Sequence, residues 1–172
     1  MKLWEKNFSP DKAIEQFTVG DDYLIDQYLV FWDCVASSGH AAMLQKIGLL
    51  KKEEYAALKK CLKEISVLHN SRTFSISLED EDCHTAIENY LVKKLGDIGK
   101  KIHTARSRND QVLVATRLYT KAELQEITAL VLKCTELLLA LAEKHQDVPM
   151  PGYTHMQKAM PSSVGLFFGS SA

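Results

Sequence analysis

Residues 109–144 read NDQVLVATRLYTKAELQEITALVLKCTELLLALAEK, and this stretch decides the fold. Its apolar residues recur at alternating intervals of three and four, a heptad-like pattern that predicts one long helix. The seam consists of Leu124, Ile127, Val131, Cys134, Leu138 and Leu141. Leu130 with Leu137, and Leu132 with Leu139, widen the apolar surface. We therefore expect this helix to be buried on several sides.

Two polar segments lie at the ends of the predicted helix, Arg106–Gln111 at its start and Gly152–His155 beyond its end. A continuous helix over 109–144 is roughly 50 Å long, at about 1.5 Å per residue. Groups at its two ends therefore cannot meet around one small ligand within one subunit. Either the two segments have unrelated roles, or subunits pack antiparallel and build shared sites from different chains.

The composition is that of an ordinary globular protein. The 172 residues are 46% hydrophobic with a formal net charge of -1, which suits one or two domains and provides no basic face for nucleic acid. No apolar run reaches the length of about eighteen residues that a membrane span needs, and the first residues lack the apolar core of a signal peptide.

Four cysteines, Cys34, Cys61, Cys83 and Cys134, show no CxxC spacing. They are typical of reduced, mostly buried thiols in a cytoplasmic protein rather than of a metal site.

The chain before residue 109 also predicts helices separated by short polar breaks. We expect one opened by Ser9-Pro10 and ended by Gly20, one over Tyr23–Ile47 ended by Gly48, one over Lys52–Leu68, and one that follows the acidic run Glu79–Asp82 and ends at Gly96. The last of these directs Ile87 and Leu91 inward, with His84 on the same face as a packed, hydrogen-bonded residue. No strand alternation is evident, so the predicted fold class is all-α.

The C-terminal residues predict a further helix opened by Pro161. The sequence halts at Ala172 while it is still apolar, without a capping residue. We therefore expect this chain to be a fragment of a longer protein.

Each polar segment has a functional and a structural interpretation. Ser107, Arg108 and Asn109 fall where the long helix begins, a place that suits a carboxylate or phosphate, but an Asn N-cap beside a solvated Arg fits equally well. In the second segment, prolines and a glycine form a stiff loop that presents Thr154 and His155. That histidine is either a general acid–base group or a structural hydrogen bonder. The residues alone support a helical, oligomeric protein that binds, at most, an anionic small molecule.

The segment Lys101–Val112 resembles the first signature region of argininosuccinate lyases, in the fumarase/aspartase superfamily. The segment Met150–Gln157, followed by Ala159-Met160-Pro161, resembles the second. Lys2-Leu3-Trp4, Glu81–Thr85 and Leu95–Lys101 match in order and spacing, so the resemblance covers essentially the whole chain. The string Arg-Ser-Arg-Asn-Asp-Gln is specific, because fumarases, aspartases and adenylosuccinate lyases carry other residues there.

The resemblance implies an N-terminal helical domain, residues 1–108, followed by the beginning of the central helical-bundle domain, residues 109–172. It implies a homotetramer whose long helices form a twenty-helix core and whose active sites each collect signature regions from three subunits. The reaction implied is the reversible elimination of fumarate from argininosuccinate to give L-arginine, the last step of arginine biosynthesis. No metal or organic cofactor is expected, because fixed donors can stabilise the developing charge.

Carried over by position, the resemblance assigns substrate binding to Ser107, Arg108, Asn109 and Thr154, and general acid–base catalysis to His155. The family's later catalytic serine loop is expected beyond this chain. Gly169-Ser170-Ser171 imitates that loop, but it follows Pro161 too closely to be it. We therefore exclude these serines and expect the fragment alone to be inactive.

Three positions depart from the family pattern. The segment Trp4–Phe8 lacks the family's arginine, Asp22 aligns near a substrate-contacting serine, and Ala105 stands where glycine is usual. These departures leave the N-terminal substrate contacts open. Two non-catalytic alternatives remain, a structural relative of the lens-crystallin kind and an inactive helical piece of an assembly.

Overall fold

The computed structural model describes residues 11–172, apart from the side chains of Lys12, Glu15 and Gln16. The predicted helix start at Ser9-Pro10 and the segment Trp4–Phe8 lie outside the described residues. The elements in chain order are α1 (Lys12–Val19), α2 (Asp22–Ile25), α3 (Val30–Lys46), α4 (Lys52–Asn70), α5 (Cys83–Leu95), α6 (Asp97–Lys100), α7 (Arg108–Lys144), β1 (Pro149–Thr154), β2 (Gln157–Ser163) and α8 (Val164–Gly169).

The chain divides into two compact units, one up to Thr120 and one over Lys121–Ala172. Because α7 contributes residues to both, this division does not test the predicted domain boundary after residue 108, which stays a prediction. Within the described residues, no helix is long and apolar enough to cross a membrane.

The core of the first unit is built by α3, α4 and α5. Leu58, Leu62 and Ile65 recur at intervals of four and three, so they lie on one face of α4, and all three are buried. Charged residues occupy the opposite face, and Glu54 accepts a hydrogen bond from the backbone N–H of Lys51 at 2.8 Å, which caps the helix. The predicted helix over Lys52–Leu68 is confirmed, as is the end of α5 at Gly96, where φ is +59°.

The prediction of one helix over Tyr23–Ile47 is wrong at its start. A 3-10 turn at Asp26–Tyr28 separates α2 from α3. Asp26 accepts a hydrogen bond from the backbone N–H of Cys83 at 3.2 Å, and the amide of Gln27 donates to the carbonyl of Ile76 at 3.5 Å. These contacts join residues about fifty positions apart, so tertiary bonding determines where the helix breaks.

The long helix is confirmed as α7, with 37 residues and a length of about 55 Å. Its apolar seam, however, is not buried within this chain: the exposed fractions of Leu124, Ile127 and Val131 are 58%, 53% and 57%. The expected burial on several sides therefore does not occur within the single chain. Exposed apolar side chains grouped in this way are typical of an interaction surface.

The prediction that the chain contains no strand is also wrong. β1 and β2 pair antiparallel, with Thr154 opposite Gln157 and Pro151 opposite Pro161. Pro161 therefore lies in a strand and does not open a helix. The helix that follows, α8, begins after Ser163, whose hydroxyl accepts a hydrogen bond from the backbone N–H of Leu166 at 3.0 Å. The hairpin is small, and the helical fold class stands.

Candidate functional site

The loop that leads into α7 is fastened to the core of the first unit. Arg106 donates a hydrogen bond to the hydroxyl of Ser37 at 3.0 Å, and that hydroxyl donates to Asp33 at 3.1 Å. The other oxygen of Asp33 lies 2.9 Å from Nδ1 of His84. Burial lowers the pKa of the Arg106 guanidinium, and the charge of Asp33 opposes this shift. The expectation that His84 is packed and hydrogen-bonded is confirmed, whereas its partner Asp33 was not predicted.

Ser107 caps the N-terminus of α7. Its hydroxyl accepts from the backbone N–H of Asp110 at 3.3 Å, while its own backbone N–H and hydroxyl donate to the Asp110 carboxylate at 2.8 and 2.9 Å. This reciprocal arrangement is a capping box. The two bonds from Ser107 lower the pKa of Asp110. The structural alternative, an Asn N-cap, is wrong, because Ser107 holds that position.

Arg108 turns toward the N-terminus of α5. Its Nη1 donates to Oδ2 of Asp82 and to the hydroxyl of Thr85, the latter at 3.1 Å. The side chain is 28% exposed, and its Nε is buried with no hydrogen-bond partner among the described residues. Arg108 is therefore not the solvated arginine of the structural alternative. The next residue, Asn109, is exposed in the first turn of α7.

Thr154 and His155 lie at the turn of the β1–β2 hairpin, and both are exposed. His155 and Met156 form the two-residue connection and have φ values of +48° and +62°. Such a turn needs positive φ at both central residues, which is usually supplied by Asn-Gly. The structure thus brings Ser107, Arg108 and Asn109 together at the start of α7, and Thr154 and His155 together at the hairpin turn. Their functional roles stay predictions.

One group among the described residues has the composition of a metal site. Ligand atoms of Asp26, Cys83 and His84 lie within 4.8 Å of one another. Nδ1 of His84, however, is already bonded to Asp33. Burial raises the pKa of the Cys83 thiol, and the charges of Asp33, Asp26 and Asp82 raise it further. Since a metal requires the thiolate, this group is better suited to a hydrogen-bonded core than to a cation.

An apolar groove of about 220 Å³ lies between α3 and α4, and none of the predicted site residues lines it. Its lining includes Phe31, Val35 and Leu62, with Lys59 and Lys63 also present. The groove contains no residue of either signature region, so it has no part in the site described above.

Comparison with known proteins identifies relatives for nearly the whole chain. A family model described as "Lyase" matches residues 6–172. An argininosuccinate lyase of Thermotoga neapolitana is 49% identical over 169 residues, which are 98% of this chain and 42% of that protein. One of Parabacteroides distasonis is 46% identical over 171 residues, 99% of this chain and 38% of that protein. This chain thus spans about two fifths of the length of the curated relatives it matches. The predicted resemblance is confirmed.

Solved structures share the fold, among them two described as fumarate lyases. One is a crystal structure from Brucella melitensis described as fumarate lyase:delta crystallin, which has a TM-score of 0.73 at 19% sequence identity. The match includes 92% of this chain and 41% of that one. The other is a fumarate lyase from Mesorhizobium sp. BNC1, which has a TM-score of 0.61 at 20% sequence identity. That match includes 95% of this chain and 37% of the other. The likeness confirms the predicted class, an N-terminal helical part followed by a long helix.

Proposed function

Because this chain belongs to the lyase family whose model spans residues 6–172, we propose that the intact protein is an argininosuccinate lyase. It would eliminate fumarate from argininosuccinate, reversibly, and leave L-arginine. The observation that carries the proposal is the string Arg-Ser-Arg-Asn-Asp-Gln, residues 106–111, at the fastened start of α7. It occurs in a chain 49% and 46% identical to two argininosuccinate lyases.

The chemistry of the two segments suits an anionic substrate that loses a proton. Arg108 can form charge-assisted hydrogen bonds with a carboxylate, and the N-terminus of α7 favours negative charge. Asn109 would bind the substrate next to Arg108. Ser107 would also bind the substrate, in addition to capping α7. At the hairpin turn, Thr154 would hydrogen-bond the succinyl group, and His155 would act as a general acid–base group near neutral pH.

The elimination would proceed through a carbanion. A base removes a proton from the succinyl carbon, the carbanion is held as an aci-carboxylate, and an acid assists departure of the guanidino nitrogen. Fixed hydrogen-bond donors can stabilise the charge that develops on the carboxylate. We therefore propose catalysis without a metal or an organic cofactor.

The length of α7 supports sites that are shared between subunits. His155 follows Lys144, the last residue of α7, by eleven positions (155 − 144). Eleven fully extended residues reach about 36 to 40 Å, less than the roughly 55 Å of the helix. This difference supports a site in which Arg108 and His155 come from different chains. The exposed seam around Ile127 supports burial of α7 against other copies, as in a homotetramer.

Four free cysteines, three of them buried, support a reducing compartment. We therefore propose that the protein works in the cytoplasm.

The proposal is tested by mixing the intact protein with argininosuccinate and following the absorbance of fumarate, with and without a metal chelator. We expect turnover that the chelator leaves unchanged. His155→Ala should abolish it, whereas His145→Ala, a histidine just past the end of α7, should preserve it. Preferential turnover of adenylosuccinate or malate would contradict the assignment. A fully assembled protein that turns over none of these would favour the structural, crystallin-like alternative.

A further inference from the structure

The carboxylate of Asp82 joins α5 to Arg108. Oδ1 of Asp82 accepts the backbone N–H of Thr85 at 2.8 Å and so caps α5. Oδ2 accepts a hydrogen bond from Nη1 of Arg108. The hydroxyl of Thr85 accepts a hydrogen bond from the same nitrogen at 3.1 Å. Each oxygen of the carboxylate thus has its own partner, and Nη1 of Arg108 is held by two acceptors from one helix end.

A second carboxylate, that of Asp80, fastens the loop before α5. Asp80 accepts hydrogen bonds from the backbone N–H and the hydroxyl of Ser77 at 3.2 and 2.7 Å, and from the amide of Asn89 at 3.0 Å. Because Asn89 belongs to α5, its bond to Asp80 also attaches the loop to this helix, at a position C-terminal to Asp82. Asp82 itself is extended, with φ of −143°. The bond from the backbone N–H of Thr85, which does not involve Asp80, holds the Asp82 carboxylate before any ligand arrives.

The guanidinium of Arg108 keeps binding capacity beyond this contact. A guanidinium has five N–H donors in a rigid plane, and the bonds to Asp82 and Thr85 engage only Nη1. Nε is buried and has no partner among the described residues. Because the plane is rigid, fixing Nη1 also limits the directions in which the remaining donors can point.

We propose that Asp82, with Thr85, is a positioning residue that orients Arg108 to receive an anionic group of the substrate. This inference rests on the proposed function, in which Arg108 binds a carboxylate of argininosuccinate. Asp82 acts only through Arg108, and it does not touch the substrate. An arginine ordered in advance loses less conformational freedom when the anion binds, so the benefit lies in affinity rather than in the chemical step.

Two substitutions in the intact protein separate this role from a structural one. Asp82→Asn keeps a side chain that caps helices well and removes the charge that holds Arg108. Asp80→Asn is the matched control, because Asp80 fastens the same loop without contacting Arg108. We expect Asp82→Asn to raise KM for argininosuccinate by about ten-fold, near the upper end of what ordering one long side chain provides, with kcat within about two-fold. Asp80→Asn should leave KM and kcat close to the wild-type values. The melting temperature of Asp82→Asn should fall no further than that of Asp80→Asn.

The outcomes distinguish this inference from the proposed function. Turnover of argininosuccinate by the wild type with an unchanged or lowered KM in Asp82→Asn would overturn the inference alone. If the wild type turned over no argininosuccinate, the proposed function would fail. A crystal structure of Asp82→Asn would still decide whether Asp82 positions Arg108. In Asp82→Asn we expect the guanidinium of Arg108 to move away from residue 82 and Thr85. In Asp80→Asn we expect it to stay in its present position. An unmoved guanidinium in Asp82→Asn would overturn the inference.

Discussion

Nδ1 of His84 lies 2.9 Å from Oδ2 of Asp33, and both side chains are almost completely buried. An ionised carboxylate can only accept hydrogen bonds, so Nδ1 is the donor. The other oxygen of Asp33 accepts from Ser37, which in turn accepts from Arg106. One buried carboxylate therefore links α3 and α5 to the loop that carries the first signature region, and the order of that loop depends on the core.

Replacing Asp33 by alanine should strongly destabilise the protein. The substitution leaves the His84 donor and the Ser37 hydroxyl without their acceptor, and it removes a negative charge that favours the Arg106 guanidinium. Breaking a buried, hydrogen-bonded pair typically costs about 3–5 kcal/mol. Urea unfolding would measure the loss. Asp97→Ala is the control, because Asp97 forms an exposed ion pair with Lys100 and should change stability little. Equal effects of the two substitutions would contradict the linking role of Asp33.

Replacing Ala105 by glycine should stabilise the protein. Ala105 has φ of +56°, in the left-handed region that costs an L-residue roughly 1–2 kcal/mol. Glycine adopts this conformation freely but loses more chain entropy on folding, so we expect a net gain of about 1 kcal/mol. Thermal unfolding would measure it. Ala56→Gly, at an exposed position inside α4, should instead destabilise by about 0.5–1 kcal/mol. A loss of stability in Ala105→Gly would contradict the positive φ.

The local sequence pattern was sufficient for the helices whose bounds depend on local signals. The seam of α7 and the face of α4 follow from periodicity, and Gly96 ends α5 as expected. The hairpin was missed because His155-Met156 occupies a turn that Asn-Gly usually marks, and because its prolines suggested a loop. Periodicity could not reveal that distant residues interrupt the helix before α3.

The sequence proposed the residues of the candidate site but not their contacts. The resemblance assigned Ser107, Arg108 and His155 by position, and their roles stay predictions. Their surroundings depend on pairs far apart in sequence, such as Arg106 with Ser37 and Arg108 with Asp82. These partners belong to α3 and to the N-cap of α5, where no local pattern distinguishes a partner from an ordinary polar residue. The only available signal was the acidic run that precedes α5.

The capping box at the start of α7 should make stability depend on pH through Asp110. The bonds from Ser107 lower the pKa of this carboxyl in the folded state. A group whose folded pKa is depressed contributes stability above its unfolded pKa, about 3.9, and loses that contribution as pH falls through the folded pKa. We expect Asp110→Asn to be less stable than wild type at pH 7 and to differ less from it as pH falls below about 4. Urea unfolding across that range would show this, and a difference that stays constant with pH would contradict it.

Mixing two inactive variants should restore activity if the sites are shared. The intact proteins carrying Asn109→Ala and His155→Ala are each expected to be inactive. After subunit exchange, a site is whole when its first signature region comes from a His155→Ala chain and its second from an Asn109→Ala chain. Each choice has a probability of about one half under random sorting, so activity should return to at most roughly a quarter of wild type.

The control for this experiment is a mixture of Asn109→Ala with Arg108→Ala. Both substitutions fall in the same signature region, so every site receives one defect or the other, and no activity should return. Subunit exchange is verified in both mixtures by mass spectrometry of differently tagged chains. Exchange without recovery in the first mixture would mean that Asn109 and His155 serve one site within a single chain. That result would contradict the argument from the length of α7, because eleven extended residues cannot span a helix of about 55 Å.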